Sequence, residues 1–128
     1  MRIAEDSIGM TNEGRWAMSA KADVLQGTLD LMVLQTLNAM GPQHGYGIAA
    51  RLEQVSEGRL QLNMGTLYPA LMRLEQRGLL RGKWNKTESN RRARYYQLTA
   101  AGRRQLTTEK QAWDQMAEII QALLQREA

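Results

Sequence analysis

The amino-acid sequence predicts a mainly α-helical domain with one small β-hairpin, closed by a long C-terminal helix. Three observations carry that expectation. Apolar residues recur at helical spacing in three segments after residue 22, two strand-like runs flank a polar basic connection, and the C-terminal segment carries a seven-residue apolar repeat. The 128 residues suffice for one domain with its own core. That core must be aliphatic, because the chain has eight Met but no Phe, only three Trp and four Tyr.

Met1 to Ala20 mixes Gly, Ser, Asn and charge without periodicity, so residues 1–21 are expected to form a disordered extension. Met10 and Met18 within it are alternative starts. From Val24, the residues Leu25, Leu29, Met32, Val33, Leu37 and Met40 recur at helical spacing. Leu31 and Leu34 widen that stripe, so this helix is buried on more than one side. Gly41-Pro42 stops it. A second helix starts near Tyr46, with Ile48, Leu52 and Val55 on one face, and Gly58 ends it. Leu60-Gln61-Leu62 reads as a short edge strand. A third helix follows, with Leu67, Leu71 and Leu74 on its core face and Gly78 after its last turn. Pro69 tolerates only a first-turn position, which favours Thr66 over Asn63 as the N-cap; capping by Asn63 would imply a kinked or distorted first turn.

Leu79–Trp84 and Ala93–Leu98 are the strand-like runs, joined by a polar tip from Asn85 to Arg92. Thr99 is a good N-cap for the last helix, which reaches about Gln125. Leu106, Trp113 and Ile120 fall seven apart on it, with Met116, Ala117, Leu123 and Leu124 filling the seam. Such a stripe wants a partner helix, and a second copy of the chain is the economical source. These seven residues are the expected dimer interface.

Charge narrows the function. Net charge is +4, yet Arg73 to Arg104 alone holds ten basic and two acidic residues, leaving seven basic and eleven acidic elsewhere. A slightly acidic scaffold therefore carries a strongly basic segment, the footprint of a polyanion-binding surface. With no Cys and one His, thiolate zinc sites and multi-histidine metal centres are excluded. No cofactor is implied, and no paired carboxylates or activated nucleophile suggest an enzyme. His44 stands in a Gly-rich turn, where a capping or turn role fits better than catalysis. The longest apolar run, Leu31–Leu34, is far too short to cross a membrane, so a cytoplasmic protein without membrane contact is expected.

Three helices followed by a basic-tipped hairpin describe a winged helix-turn-helix (residues 22–98), with residues 99–128 as a C-terminal dimerisation helix. Such a third helix lies in the major groove of double-stranded DNA. Its outward residues are Thr66, Tyr68, Pro69, Met72, Arg73 and, at its end, Arg77. The hydroxyls of Thr66 and Tyr68 can reach base edges, Pro69 and Met72 suit a thymine methyl, and Arg73 can fork onto guanine or a phosphate. On the wing, Lys86, Asn90, Arg91, Arg92 and Arg94 would follow phosphates or enter the minor groove, the strand alternation leaving the direction of Arg94 open. Tyr95 and Tyr96 face opposite sides, so at most one is available to DNA. The rival reading is a winged-helix protein-interaction module whose basic hairpin docks an acidic partner without reading DNA sequence.

The wording of several segments adds to this. Leu25-Gln26-Gly27-Thr28-Leu29, His44-Gly45-Tyr46-Gly47-Ile48, Gly65-Thr66-Leu67-Tyr68-Pro69-Ala70-Leu71 with Arg73-Leu74-Glu75, and Arg91-Arg92-Ala93-Arg94-Tyr95-Tyr96-Gln97-Leu98-Thr99 together resemble the PadR family over about residues 22–124. That resemblance implies a bacterial transcriptional regulator, most often a repressor, of the short type with a single C-terminal dimerisation helix. Where the family's wing usually carries a Gly, this chain has Ser89-Asn90. Trp113 sits where some multidrug-responsive members stack flat aromatic ligands between subunits. It is first an interface residue here and second a candidate contact for a small-molecule effector. The expectation is a homodimer on an inverted-repeat operator.

Overall fold

The computed structural model describes residues 13–126, with side chains described for residues 27–126. Seven elements follow one another: α1 (Glu13–Met40), β1 (Gln43–His44), α2 (Gly45–Val55), α3 (Met64–Gln76), β2 (Leu80–Lys86), β3 (Arg92–Leu98) and α4 (Ala100–Arg126). The strands form one antiparallel sheet in the order β1-β3-β2. This is the winged-helix arrangement, three helices and a hairpin, with a long helix appended.

Helix α1 starts well before Val24. Residues 1–12 of the expected disordered extension lie outside the described residues, but the backbone of residues 13–21 is helical and continuous with α1. No Gly or Pro interrupts Arg15 to Gln26, and Ala17, Met18, Ala20 and Lys21 are good helix formers, so a helix nucleated downstream propagates backward without an amphipathic pattern. The buried part behaves as the periodicity requires. Leu29, Val33, Leu34 and Leu37 are all in the core. Gly41, at φ 81°, donates its N–H to the Leu37 carbonyl at 2.9 Å and ends the helix.

His44 caps α2: its Nδ1 accepts the Gly47 N–H at 3.1 Å. Ahead of α3, Leu60-Gln61-Leu62 is not a strand. Its backbone has no ladder partner, the Leu60 N–H going instead to the Ser56 hydroxyl at 2.9 Å, while Leu60 and Leu62 lean on the core. The third strand is β1, whose two residues pair with Tyr96 and Tyr95. Nothing in a two-residue stretch announces a strand in sequence; the neighbour creates it.

Asn63, not Thr66, caps α3. The Asn63 carboxamide oxygen accepts the Thr66 N–H at 2.9 Å, and the helix runs unbroken from Met64 through Pro69 to Gln76. Asn is at least as good a cap as Thr, and Pro69, the sixth residue of α3, lies beyond the first turn and leaves the Gly65 carbonyl without its usual helical donor. At the far end Gly78, at φ 77°, donates to Glu75 and Leu79 donates to Leu74, a Schellman closure that turns the chain into the hairpin.

The strands pair from Leu80↔Leu98 to Lys86↔Arg92, so the tip is shorter than the sequence suggests, Thr87 to Arg91. Asn90 takes φ 66° there, a left-handed conformation that Asn adopts more readily than most residues other than Gly. Thr99 caps α4 as expected, accepting the Gly102 N–H at 3.0 Å and donating to the Gly78 carbonyl at 2.7 Å. Leu106 belongs to the protein's own core at 5 % exposure, which removes it from the expected dimer interface. At that point α4 lies over the hairpin base and α1, and Lys110, one turn on, still faces a cavity lined by Leu31, Met32 and Leu52.

Gly102 is where α4 meets that base. A Cβ there would lie less than 2.5 Å from the Leu79 carbonyl oxygen, a backbone atom that cannot swing away. Gly102→Ala is therefore expected to destabilise the fold by about 1–3 kcal/mol, the usual cost of overpacking, measured by urea unfolding.

Candidate nucleic-acid interface

Helix α3 divides cleanly. Leu67, Ala70, Leu71 and Leu74 are buried, which leaves Thr66, Tyr68, Pro69 and Met72 exposed along the first two turns, with Gln76 continuing the same face and Arg77 exposed at the C-cap. Its start is braced by the start of α2. A Cβ on buried Gly45 would come 2.7 Å from Met64 Cε and 3.3 Å from the Tyr68 ring, so the two helix N-termini meet at a distance that suits glycine. Tyr46, next in the chain, is 68 % exposed beside this contact.

Two arginines expected at DNA point elsewhere. Arg73 binds Asp30 of α1, Nη2 to Oδ1 at 2.7 Å, and Asp30 is nearly buried. A buried carboxylate without a cation is costly, so Arg73 has a structural role in holding Asp30. Arg94 binds Glu75 of α3, Nη2 to Oε2 at 2.5 Å. Strand alternation places Arg94 on the face of Tyr96 and Leu98, toward α3, with about a third of its side chain still exposed. The hydrogen bond to Glu75 pushes the already high pKa of Arg94 further up. Burial, helped by the negative charge of Glu75, pushes the Tyr96 phenol up, so it stays neutral at pH 7.

The remaining wing residues lie at the surface. Lys86, Asn90, Arg91 and Arg92 are all exposed at the tip. The Arg92 guanidinium stacks over the Trp84 ring, 4.8 Å from its centroid, a cation–π contact that limits where that cation can go. Of the two adjacent tyrosines, Tyr96 is buried and Tyr95 is not. Tyr95 meets His44 edge-on at 5.1 Å and donates from its hydroxyl to the Lys86 carbonyl at 3.3 Å.

Between the first turn of α2, Tyr68 of α3 and the inner face of the wing lies an open groove of about 1020 Å³. Tyr46, Tyr68, Trp84, Arg91, Arg92 and Arg94 line it. Cations and flat aromatic faces in one groove suit a sugar-phosphate strand. Tyr46 and Trp84 were not legible as site residues, because their exposure beside the wing follows from packing. Gln76 could have been found by continuing the i, i+4 count from Met72.

Among the described residues no group of three or more His, Asp or Glu is placed to hold a metal, and no helix is long and apolar enough to cross a membrane. Helix α4 shows a different surface. Trp113, Met116, Ile119, Ile120, Leu123 and Leu124 are each about half exposed or more, and Ala117 is partly covered. Ile119 joins the expected seam.

Residues 33–108 match the transcriptional regulator PadR-like family. The chain belongs to that family. This PadR-like regulator is similar to a PadR family transcriptional regulator from Eggerthella lenta, with 28% identity, a TM-score of 0.70, and coverage of 90% of this chain and 97% of that one. It is likewise similar to a transcriptional regulator from Clostridium thermocellum, at 26% identity and a TM-score of 0.69 over 77% of this chain and 94% of that one. A transcriptional regulator of Mycobacterium tuberculosis is 37% identical over 68 residues, which span 53% of this chain and 63% of that protein. The family consists of transcriptional regulators, not enzymes. Membership of a family of transcriptional regulators implies binding to DNA.

The revised cap gives a direct check. Asn63→Ala is expected to lower stability by about 1 kcal/mol, whereas Thr66→Ala, with its exposed hydroxyl outside the cap, changes it by less than about 0.5 kcal/mol. Thermal or urea unfolding of the two variants reads the difference.

Proposed function

We propose that this regulator acts as a homodimeric repressor on an inverted-repeat operator in double-stranded DNA, inside the cell. The observation that carries the reading is one surface. The exposed start of α3, with Thr66, Tyr68, Pro69 and Met72, stands beside a groove whose far wall carries the wing cations. In this reading α3 enters a major groove and its first two turns reach base edges. Lys86, Arg91 and Arg92, with Asn90 at the apex, grip the phosphates on the adjoining side. Arg77, exposed at the end of α3, is assigned a phosphate contact. Arg73 and Arg94 leave the contact set, since each already has a carboxylate partner.

The dimer part rests on α4. An apolar stripe of Trp113, Met116, Ala117, Ile120, Leu123 and Leu124, extended by Ile119, lies largely open along three turns of α4. Monomers seldom keep that much contiguous apolar surface wet. A second copy supplies an identical stripe, and pairing the two places the recognition helices on successive major grooves about one helical turn apart. Trp113, 52 % exposed near the start of the stripe, is also the residue against which a flat aromatic effector would stack between subunits. With no Cys in the chain, an effector must act by binding, not by thiol oxidation.

Mobility shifts across salt concentrations test the DNA part. Log affinity should fall steeply with log salt, and replacing Arg91 and Arg92 by Glu should weaken all duplexes alike and reduce the slope by about 2. Thr66→Ala or Tyr68→Ala should change sequence preference as well as strength. Binding indifferent to salt, or a footprint on a single half-site, would overturn the reading. Sedimentation tests the dimer: Ile120→Glu with Leu124→Glu should yield monomers that lose tight operator binding. Titration of planar dyes should quench Trp fluorescence in the native protein and far less in Trp113→Ala; an unchanged native signal removes the effector site.

A further inference from the structure

Arg94 sits in the middle of the wing, yet its guanidinium turns back toward the recognition helix. Its bond to Glu75 is the only side-chain hydrogen bond between α3 and the hairpin among the described residues. Three further features are organised around it. Gly82, across the hairpin on β2, would place a Cβ 2.6 Å from the Arg94 Nε and Nη2 atoms. The φ of Gly82 is not positive, so the residue is not there for backbone freedom; its lack of a side chain leaves the track in which the guanidinium lies. Trp84, directly opposite Arg94 in the ladder, remains 53 % exposed while its ring faces the Arg94 guanidinium at 5.8 Å. The Tyr96 ring takes the third side at 6.0 Å.

An ion pair whose side chains are each about a third exposed adds little to stability, so stability does not account for this bracket. Geometry does. Two contacts on α3 and β2 hold one planar group in the angle between helix and wing. The tip cations Lys86, Arg92 and Arg91 ride two to three residues, roughly 7–10 Å, farther along the hairpin, so a tilt of roughly 10° at Arg94 would move them by roughly 1–2 Å, enough to lengthen a phosphate hydrogen bond past its useful range.

We propose that Arg94 is a positioning residue: held by Glu75, Gly82 and Trp84, it sets the angle of the wing against α3, and discrimination between operator and other DNA depends on it although it contacts no phosphate. The inference rests on the DNA reading above, and the two fail differently. Wild-type protein that selects no preferred site from a pool of random duplexes defeats the DNA reading itself. With a selected site in hand, the affinities of wild type, Arg94→Gln and Gly82→Ala are measured for that site and for a scrambled duplex of equal length, across salt concentrations. Gly82→Ala keeps every charge and displaces only the guanidinium.

The expected result is a loss of about tenfold or more in the ratio of selected-site to scrambled affinity in both variants, with the salt slope on scrambled DNA unchanged. Thermal melts confirm folding, and loss of folded protein would in any case weaken both duplexes in proportion. A slope lowered by about 1 in Arg94→Gln, with both duplexes weakened alike, would make Arg94 a phosphate contact and overturn the proposal. A ratio unchanged in Gly82→Ala would overturn it equally.

Discussion

Leu67, Leu71 and Leu74 fix the rotation of α3 about its own axis, and the rest of the molecule depends on that angle. All three are fully buried, and removing one such side chain from water is worth about 1.5–3 kcal/mol. Turning the helix by a single residue, about 100°, would bring leucines to the surface and polar groups into the core. The outward face is therefore as determined as the inward one. Thr66, Tyr68, Pro69 and Met72 are presented because nothing else can be.

Around that seam the protein ties α3 down on both flanks with charge. Arg73 reaches back to Asp30 on α1, and Glu75, two residues on, reaches across to Arg94 on the wing. Helix α3 thus lies between α1, which leads toward the N-terminus, and the wing, which carries the exposed cations. Neither pair is a large stabiliser at its exposure. Their directional hydrogen bonds instead set relative orientation, which a slippery aliphatic core leaves loosely specified.

The basic segment read from the sequence consequently splits by role. Of its arginines, two are internal struts, one is stacked on Trp84, and the exposed remainder forms the electrostatic face. Charge counting treats all of these cations alike, whereas folding gives two of them carboxylate partners. Ion pairs with carboxylates distant in sequence are what it could not anticipate. The seam on α4 was overread in the same manner. Leu106 continues the seven-residue spacing of Trp113 and Ile120, yet it is roofed by its own domain.

Much was settled locally. Helical periodicity, the glycine stops at Gly41 and Gly78, the His44 and Thr99 caps and the strand alternation that separates Tyr95 from Tyr96 are each written within a few neighbouring residues, so the sequence by itself determined the helices and the hairpin, the family and the exposed face of α3. The choice of Asn63 over Thr66 as cap, the strand status of Gln43-His44 and the fate of Leu60–Leu62 depended on which backbone partners lay within reach after folding. Only the tertiary structure decided what Arg73 and Arg94 do, since their partners lie 43 and 19 residues away. A charge shows in the sequence; which opposite charge folding brings within 3 Å of it does not.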